Sequence, residues 1–512
     1  MAESQKESRS VMSKEDNIVD WDGPDDPNNP RNWAPRKQYV HAVVVALIAL
    51  NVNLASTMFA PGAPLLMQEL SITSTIIGSM TVSIYVLGFA VGPLILSPLS
   101  ELYGRLIVYQ CCNFVYLGFT LGCALSTNTA MFLVFRFIAG CAGSAPMTIA
   151  GGTIADIFPQ EKRGSVMGML ALGPIIGPVI GPIAGGFIAM DIGWRWTFWV
   201  LFIMSAVVNI VSLICMRETY APVLLARKTA LLQKETGNTA LRSKLDQGIS
   251  PTKMLTRSLI RPIKLLLFSP VVLLLSIYVA FAFGLTFLLF TTFPSVYRAK
   301  YGFSTGISGL AYLGMGLGFF FGMLVFAALS DKILKRKTGE GVNVAQDIST
   351  AEDIPPASVD TESPVNSAVT EKEAGPVYKP ELRLFLMVWL APVLPFGFFW
   401  YGWSADQGTH WIVPILGTGL IGIGSLFIMM PAQTYLVDVF GSEGAASALA
   451  ANTLLRSLFG AFLPLAGPPL YEKLGLGWGN SLLGFIGLAF IPVPFLFYKY
   501  GERARAKWPV KL

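Results

Sequence analysis

The residues of this chain that could do chemistry are few, and they stand inside apolar runs. Arg136 lies in LVFRFIAGCAG, and Arg456 lies in ANTLLRSLFG, four residues after Asn452. A charged side chain at the centre of a bilayer costs at least ~2.5–3.5 kcal/mol, so each arginine is a candidate functional group. By helical spacing Arg136 shares a face with Gly140, Gly143 and Met147, and Arg456 shares one with Asn452. Either arginine lines a polar cavity or snorkels toward the membrane surface. Asn51, Asn53, Ser56, Thr57 and Gln433 also interrupt apolar runs. They read equally as cavity lining or as hydrogen-bond glue between helices. No Asp or Glu falls near the middle of a run. Glu101, Asp156, Asp331 and Asp438 stand near one end of theirs, Asp191 and Asp406 near the other. If any of these groups binds and releases protons, Asp156, on the same run as Arg136, is the first choice. His41 and His410, the two histidines, read as surface residues at run ends. No nucleophile–base pair, metal-ligand cluster or nucleotide loop stands out, so neither catalysis nor a metal site is expected.

The elements that must position these groups are membrane helices. The 512 residues are 53% hydrophobic and 13% charged, with mean hydropathy +0.58. A soluble chain of this size carries roughly 25% charge. About 20 apolar residues cross a bilayer as a helix, and twelve such spans are expected: 38–60, 77–99, 106–125, 129–154, 165–190, 195–216, 270–294, 307–330, 382–403, 411–437, 445–468 and 478–499. The fold class is therefore all-α integral membrane, with a tail (1–37), a six-helix bundle (38–216), a central loop (217–269), a second bundle (270–500) and a C-terminal tail (501–512). The polar first 37 residues argue against a cleavable signal. Residues 217–269 hold ten Lys or Arg, and RKTALLQKETG within them reads as an interfacial helix. The insert 338–380 has eight acids against two lysines and reads as a disordered segment open to phosphorylation. With both termini inside, cytoplasmic segments carry 30 of the 37 Lys and Arg, and external loops carry Arg195, Arg298, Lys300 and Lys473. Trp33, Trp194, Trp196, Trp403, Trp411 and Trp478 are expected in the interfacial aromatic belt. The five cysteines read as small apolar helix residues.

The halves repeat. Leu99-Ser100-Glu101 matches Leu329-Ser330-Asp331, Asp156-Ile157-Phe158 matches Asp438-Val439-Phe440, and Gly193-Trp194 matches Gly477-Trp478. The offset grows by about fifty residues after the first pair, close to the length of the acidic insert. Two related bundles with a site between them near the midplane is a transporter plan.

GPIIGPVIGPIAGG, residues 173–186, puts Gly173, Gly177, Gly181 and Gly185 on one helical stripe and Pro174, Pro178 and Pro182 on the next. Glycines at this spacing let two helix backbones approach closely. The stripe reads as a plain packing seam or as a flexible seam facing the other bundle, on which the halves rock. The longer pattern Gly168, Gly177, Gly181, Pro182, Gly185 and Gly186 resembles the fifth-span motif of drug:proton antiporters of the major facilitator superfamily. DDPNNPRNW, residues 25–33, is similar to the segment before the first span in fungal members of the twelve-span antiporter family. The resemblance implies proton-driven export. SPLSELYGR, residues 97–105, resembles the superfamily's loop between spans two and three: Leu99, Gly104 and Arg105 match, and Glu101 replaces the usual Asp. It implies a conformational charge clamp, with Asp331 as the second-half counterpart, set against an ordinary short charged loop. Arg136 matches the arginine of the fourth-span motif, which the resemblance links to proton transfer, although Ala139 stands where glutamine is usual.

The expected function is a proton-coupled antiporter exporting amphipathic small molecules such as drugs, toxins or secondary metabolites. It would be a multi-pass plasma-membrane protein, monomeric, with no cofactor beyond the proton gradient and no nucleic-acid partner. The alternatives are a carrier of a nutrient, vitamin or polyamine, and a non-transporting receptor using the acidic insert.

Overall fold

Side-chain caps start the helices where the sequence offers Ser or Asn ahead of an apolar run. Ser74 Oγ accepts Ile77 N, Asn128 Oδ1 accepts Met131 N at 2.8 Å, and Ser269 Oγ accepts Val272 N with Pro270 in the first turn. The computed structural model describes residues 17–246, 248, 251–330 and 380–508. Asp331 and nearly all of the insert 338–380 lie outside the described residues.

Span one is Pro35–Thr57, prolonged by a 3-10 turn at Ala60–Gly62 and a short helix Ala63–Glu69. Span two is Thr75–Tyr103, span three Arg105–Ala124, and span four Thr129–Gly143 plus Ala145–Ile157. Spans five and six are Gln160–Asp191 and Arg195–Cys215. In the second half, span seven is Pro270–Tyr301, span eight Thr305–Ser330, span nine Pro380–Asp406 and span ten Ile412–Gly441. The last apolar run, Gly444–Lys507, is 64 residues long. At 1.5 Å per residue that is far more than one crossing. Its helix breaks at Gly475, whose φ of 71° and ψ of 178° no helix allows, and this break separates the expected spans eleven and twelve.

Span five stays helical through its three prolines. Because they stand four apart, each ring removes an N–H that would bond a carbonyl on the same stripe: Leu170, then Pro174, then Pro178. The loss is confined to one line along the helix.

The central segment is more ordered than its charge suggests. It holds the expected amphipathic helix, Ala221–Thr236, and a second, Pro251–Phe268. Between them Arg242–Ser243 forms a short parallel strand pair with Ile18–Val19 of the tail. Lys228 Nζ meets Asp22 at 2.5 Å, and Lys244 Nζ meets Asp20 at 2.6 Å. Six crossings thus return the chain to the side where it began. In the second half Arg505 pairs with Glu381, so spans nine to twelve also begin and end on one side. That side is the tail end, and the other is the far end.

Three surface expectations fail. His41 is fully buried: its Nδ1 donates to Lys37 O at 2.8 Å, and its Nε2 accepts Arg217 N at 2.9 Å, tying span one to the end of span six. Trp33 packs on the His41 ring at 4.8 Å and joins the core. Trp194 is buried too, among Phe59, Phe132 and Phe198. Each is held by tertiary partners that hydropathy does not specify.

Candidate functional site

At the tail end of the first bundle, Gly104 turns the chain from span two into span three with φ 101°. Span three starts at Arg105 with no capping side chain of its own. Its first amides are met from elsewhere: Glu218 Oε1 accepts Arg105 N at 2.9 Å, and Oε2 accepts Leu106 N at 3.2 Å. A carboxylate on exposed helix N–H groups also complements the helix dipole. A Cβ on Gly104 would collide with Glu218 Oε2. The Arg105 guanidinium reaches Asp156 at 3.4 Å and donates to Ser100 Oγ at 2.6 Å. Spans two, three and four and the chain beyond span six are thereby locked together.

The contacts expected of Glu101 are made instead by another acid, Glu218. Glu101 is half-buried and forms no ion pair among the described residues. Arg105, Asp156 and Glu218 make the contacts, and these tie the first bundle to the chain just beyond it rather than to the other half. The second half repeats the pattern: Arg383, at the start of span nine, bonds Asp438 at 2.9 Å. Asp156 and Asp438 were aligned from sequence. Glu218 and Arg383 were missed, although extending the same repeat by one helix would have placed Arg383 opposite Arg105.

Arg136 is 1% exposed and does not snorkel. Its Nη1 donates to Ala55 O at 3.0 Å and its Nε to Thr81 O at 3.5 Å, while Nη2 has no partner. The guanidinium stands over the rings of Tyr85 at 4.6 Å, Phe198 at 5.5 Å and Phe59 at 5.8 Å. No carboxylate pairs with it among the described residues. Aromatic faces and backbone carbonyls offset the charge instead. Asp156 lies at the other end of span four, so the structure does not bring the two together.

The glycine stripe of span five packs against span one. A Cβ on Gly173 would stand 3.0 Å from Leu50 N, one on Gly177 2.8 Å from Asn53 Cβ, and one on Gly181 3.0 Å from Thr57 Oγ1. One on Gly185 would collide with Met58 O. The stripe therefore does not face the other bundle, because span one of the same bundle occupies it. A neighbouring face does: Gly186 approaches Thr305 O and Gly306 O, Pro182 O lies against Gly309, and Val179 against Gly316. These approaches bring span five and span eight together toward the far end. At the tail end of span five, Gly168 has no atom near where a Cβ would stand.

The other polar candidates divide. Asn51 turns into the first bundle, donating to Ser205 Oγ at 2.5 Å on span six. Asn53 donates to Ala49 O at 2.7 Å. Asn51 thus joins two helices, whereas Asn53 bonds its own. Gln433 is half-buried on span ten. Asn452 is 1% exposed with neither amide atom partnered, and Arg456 is half-buried beside Phe283, 4.9 Å from its ring. These two lie on the same helix as Gly460, which stands against Val86 of the other bundle.

Residues 45–339 match the family model described as Major Facilitator Superfamily. "MFS transporter prlG" of a fungal species (strain NRRL 50135) is 56% identical over 504 residues, 98% of this chain and 99% of that protein. "Trichosetin biosynthesis cluster MFS transporter" of Gibberella fujikuroi is 51% identical over 496 residues, 97% of this chain and 90% of that one. Among solved structures, a D-xylose-proton symporter superposes with TM-score 0.62 at 14% identity, over 89% of this chain and 98% of its own. A bacterial homologue of the lysosomal transporter Spinster, inward-facing and unoccupied, gives 0.59 at 15% identity over 94% and 99%. These two likenesses show the fold alone. The family model over more than half of the chain and relatives more than half identical along nearly all of it show that the chain belongs to the Major Facilitator Superfamily of membrane transporters, and is not an enzyme.

Proposed function

We propose that this transporter exports an amphipathic small molecule, the product of a fungal biosynthetic cluster, by alternating access coupled to inward proton movement. The observation that carries the reading is the 51% identity, along 97% of the chain, to a relative named for the trichosetin biosynthesis cluster. The fifth-span pattern supports antiport, and its two faces supply the means. One is fixed on span one, and the other meets span eight through small residues that let two surfaces part and rejoin. The close approaches of spans five and eight lie toward the far end, which supports a conformation open toward the tail end. We place the protein in the plasma membrane as a monomer with both termini cytoplasmic. The sugar symporters among its structural neighbours do not favour a sugar carrier, since the likeness at 14% identity is one of fold.

The test is a deletion strain compared with its parent for retained metabolites and for susceptibility across chemical classes, followed by uptake into inverted vesicles. Uptake should follow an imposed proton gradient and stop with an uncoupler. Undiminished uptake after uncoupling excludes antiport. Arg136→Ala is expected to abolish gradient-driven uptake, and uptake equal to the parent's removes Arg136 from the mechanism.

A further inference from the structure

We infer that the boundary between the bundles holds a binding site for an anionic, amphipathic molecule, recognised by the Arg456 guanidinium with the Asn452 amide beside it. This names the substrate class within the export reading above and rests on it.

Gly460 fixes the position. A Cβ there would stand 2.8 Å from the Phe283 ring on span seven and 3.1 Å from Val86 Cγ1 on span two. That face of span eleven therefore lies where its own bundle touches the opposite one. Asn452, Arg456 and Gly460 follow at intervals of four and share the face. Span eleven runs from the tail end to the far end, so Arg456 and Asn452 sit on the tail-end side of the contact at Gly460.

The charge balance there is unmet. Arg105, Arg195, Arg383 and Arg505 each pair with a carboxylate. Arg136 has none but gives two donors to backbone carbonyls. Arg456 has no carboxylate within salt-bridge distance among the described residues, its Nε is unpartnered, and its neighbour is the face of Phe283. Asn452, 1% exposed, presents an unused donor and an unused acceptor one turn away. An unpaired cation in an apolar span is costly, and an anion that enters beside it recovers much of that cost. The guanidinium fork matches a planar carboxylate or enolate through two parallel N–H bonds. Phe283 and Phe287, 4.9 Å apart, supply an apolar wall for the rest of the molecule. A cation would be repelled, and a neutral polyol would leave the guanidinium unpaired.

The test uses the purified full-length protein in detergent and three probes of one shape: 4-(1-naphthyl)butyrate, its primary amide, and 4-(1-naphthyl)butylamine. Equilibrium dialysis should show the carboxylate binding at least about ten-fold tighter than either of the others. Arg456→Gln should remove that preference, whereas Arg456→Lys should keep part of it. Asn452→Asp, nearly isosteric, should weaken carboxylate binding by about ten-fold by giving Arg456 an internal partner, and it reads the site even if Arg456→Gln fails to fold. Equal binding of the three probes, no carboxylate binding, or carboxylate binding indifferent to Arg456→Gln and to Asn452→Asp overturns the proposal. The measurement involves no gradient. Loss of gradient-driven uptake in vesicles would sink the export reading while leaving this binding result intact.

Discussion

The carboxylate of Glu218 accepts the backbone N–H of Arg105 at 2.9 Å across 113 positions of chain, where Gly104 leaves it the space that a Cβ would fill. The end of span six thus supplies the cap that span three lacks. Glu218→Ala leaves the part-buried Arg105 and Leu106 amides without this acceptor, at up to ~1–3 kcal/mol each. The thermal midpoint in detergent should fall by several degrees. Glu218→Gln, with one carbonyl oxygen, should fall about half as far. Gly104→Ala should be at least as damaging as Glu218→Ala, since it both strains a backbone at φ 101° and displaces the carboxylate. A Gly104→Ala protein as stable as the parent would show that Glu218 is not held there.

Arg383 and Asp438, bonded at 2.9 Å with side chains 21% exposed, repeat the Arg105–Asp156 pair in the second half. Breaking one partner leaves a charge in a partly dry site, so Arg383→Ala or Asp438→Ala should each cut transport by about ten-fold or more. The exchanged pair, Arg383→Asp with Asp438→Arg, should recover much of that loss. Equal loss in the single and exchanged variants, read as uptake per folded molecule, would mean that the ion pair itself is unimportant.

Span five offers a paired test of close packing. Gly185→Ala drives a methyl into Met58 O, whereas Gly168→Ala adds one where no atom stands within 4 Å. The first should lower stability by ~1–3 kcal/mol through overpacking and abolish uptake. The second should leave stability within ~0.5 kcal/mol of the parent. Similar midpoints for both would place the stripe somewhere other than against span one.

The tail carries a pH signature. The Lys244 ammonium and the Trp21 amide hold the Asp20 carboxyl below its ordinary range, and the amides of Asp22 and Asn28 do the same for Asp26. A depressed carboxylate stabilises the docked tail fully above its unfolded value, about 4. That contribution is lost as pH falls through the lower folded value. Limited proteolysis near residues 17–34 should therefore be constant from pH 5 to pH 8. Lys244→Ala and Lys228→Ala should raise it across that range. Cleavage that climbs already between pH 7 and pH 5 would place the control elsewhere.

Hydropathy placed the crossings, because twenty apolar residues admit one solution in lipid. The alignment of Asp156 with Asp438 marked equivalent helix ends in the two halves, but that each would meet an arginine was not legible in it. What hydropathy leaves open is direction around a helix axis. Asn51 and Asn53 stand two apart on span one, yet one bonds Ser205 on span six and the other its own backbone. A bundle interior and a bundle boundary are equally apolar, so only packing tells them apart. Span five shows the same limit: its glycines read as a close-approach surface, but not as one whose partner is span one. Glu218 was hidden because its partners are backbone amides, which leave no mark in the sequence.

The pairing of Ile18–Val19 with Arg242–Ser243 also sets an order of events at the ribosome. The first strand emerges early, and its mate follows only after six crossings have been threaded into the bilayer. Closure of that small sheet therefore reports that the first half is complete, and a nascent chain arrested before Arg242 would leave Ile18 and Val19 unmated.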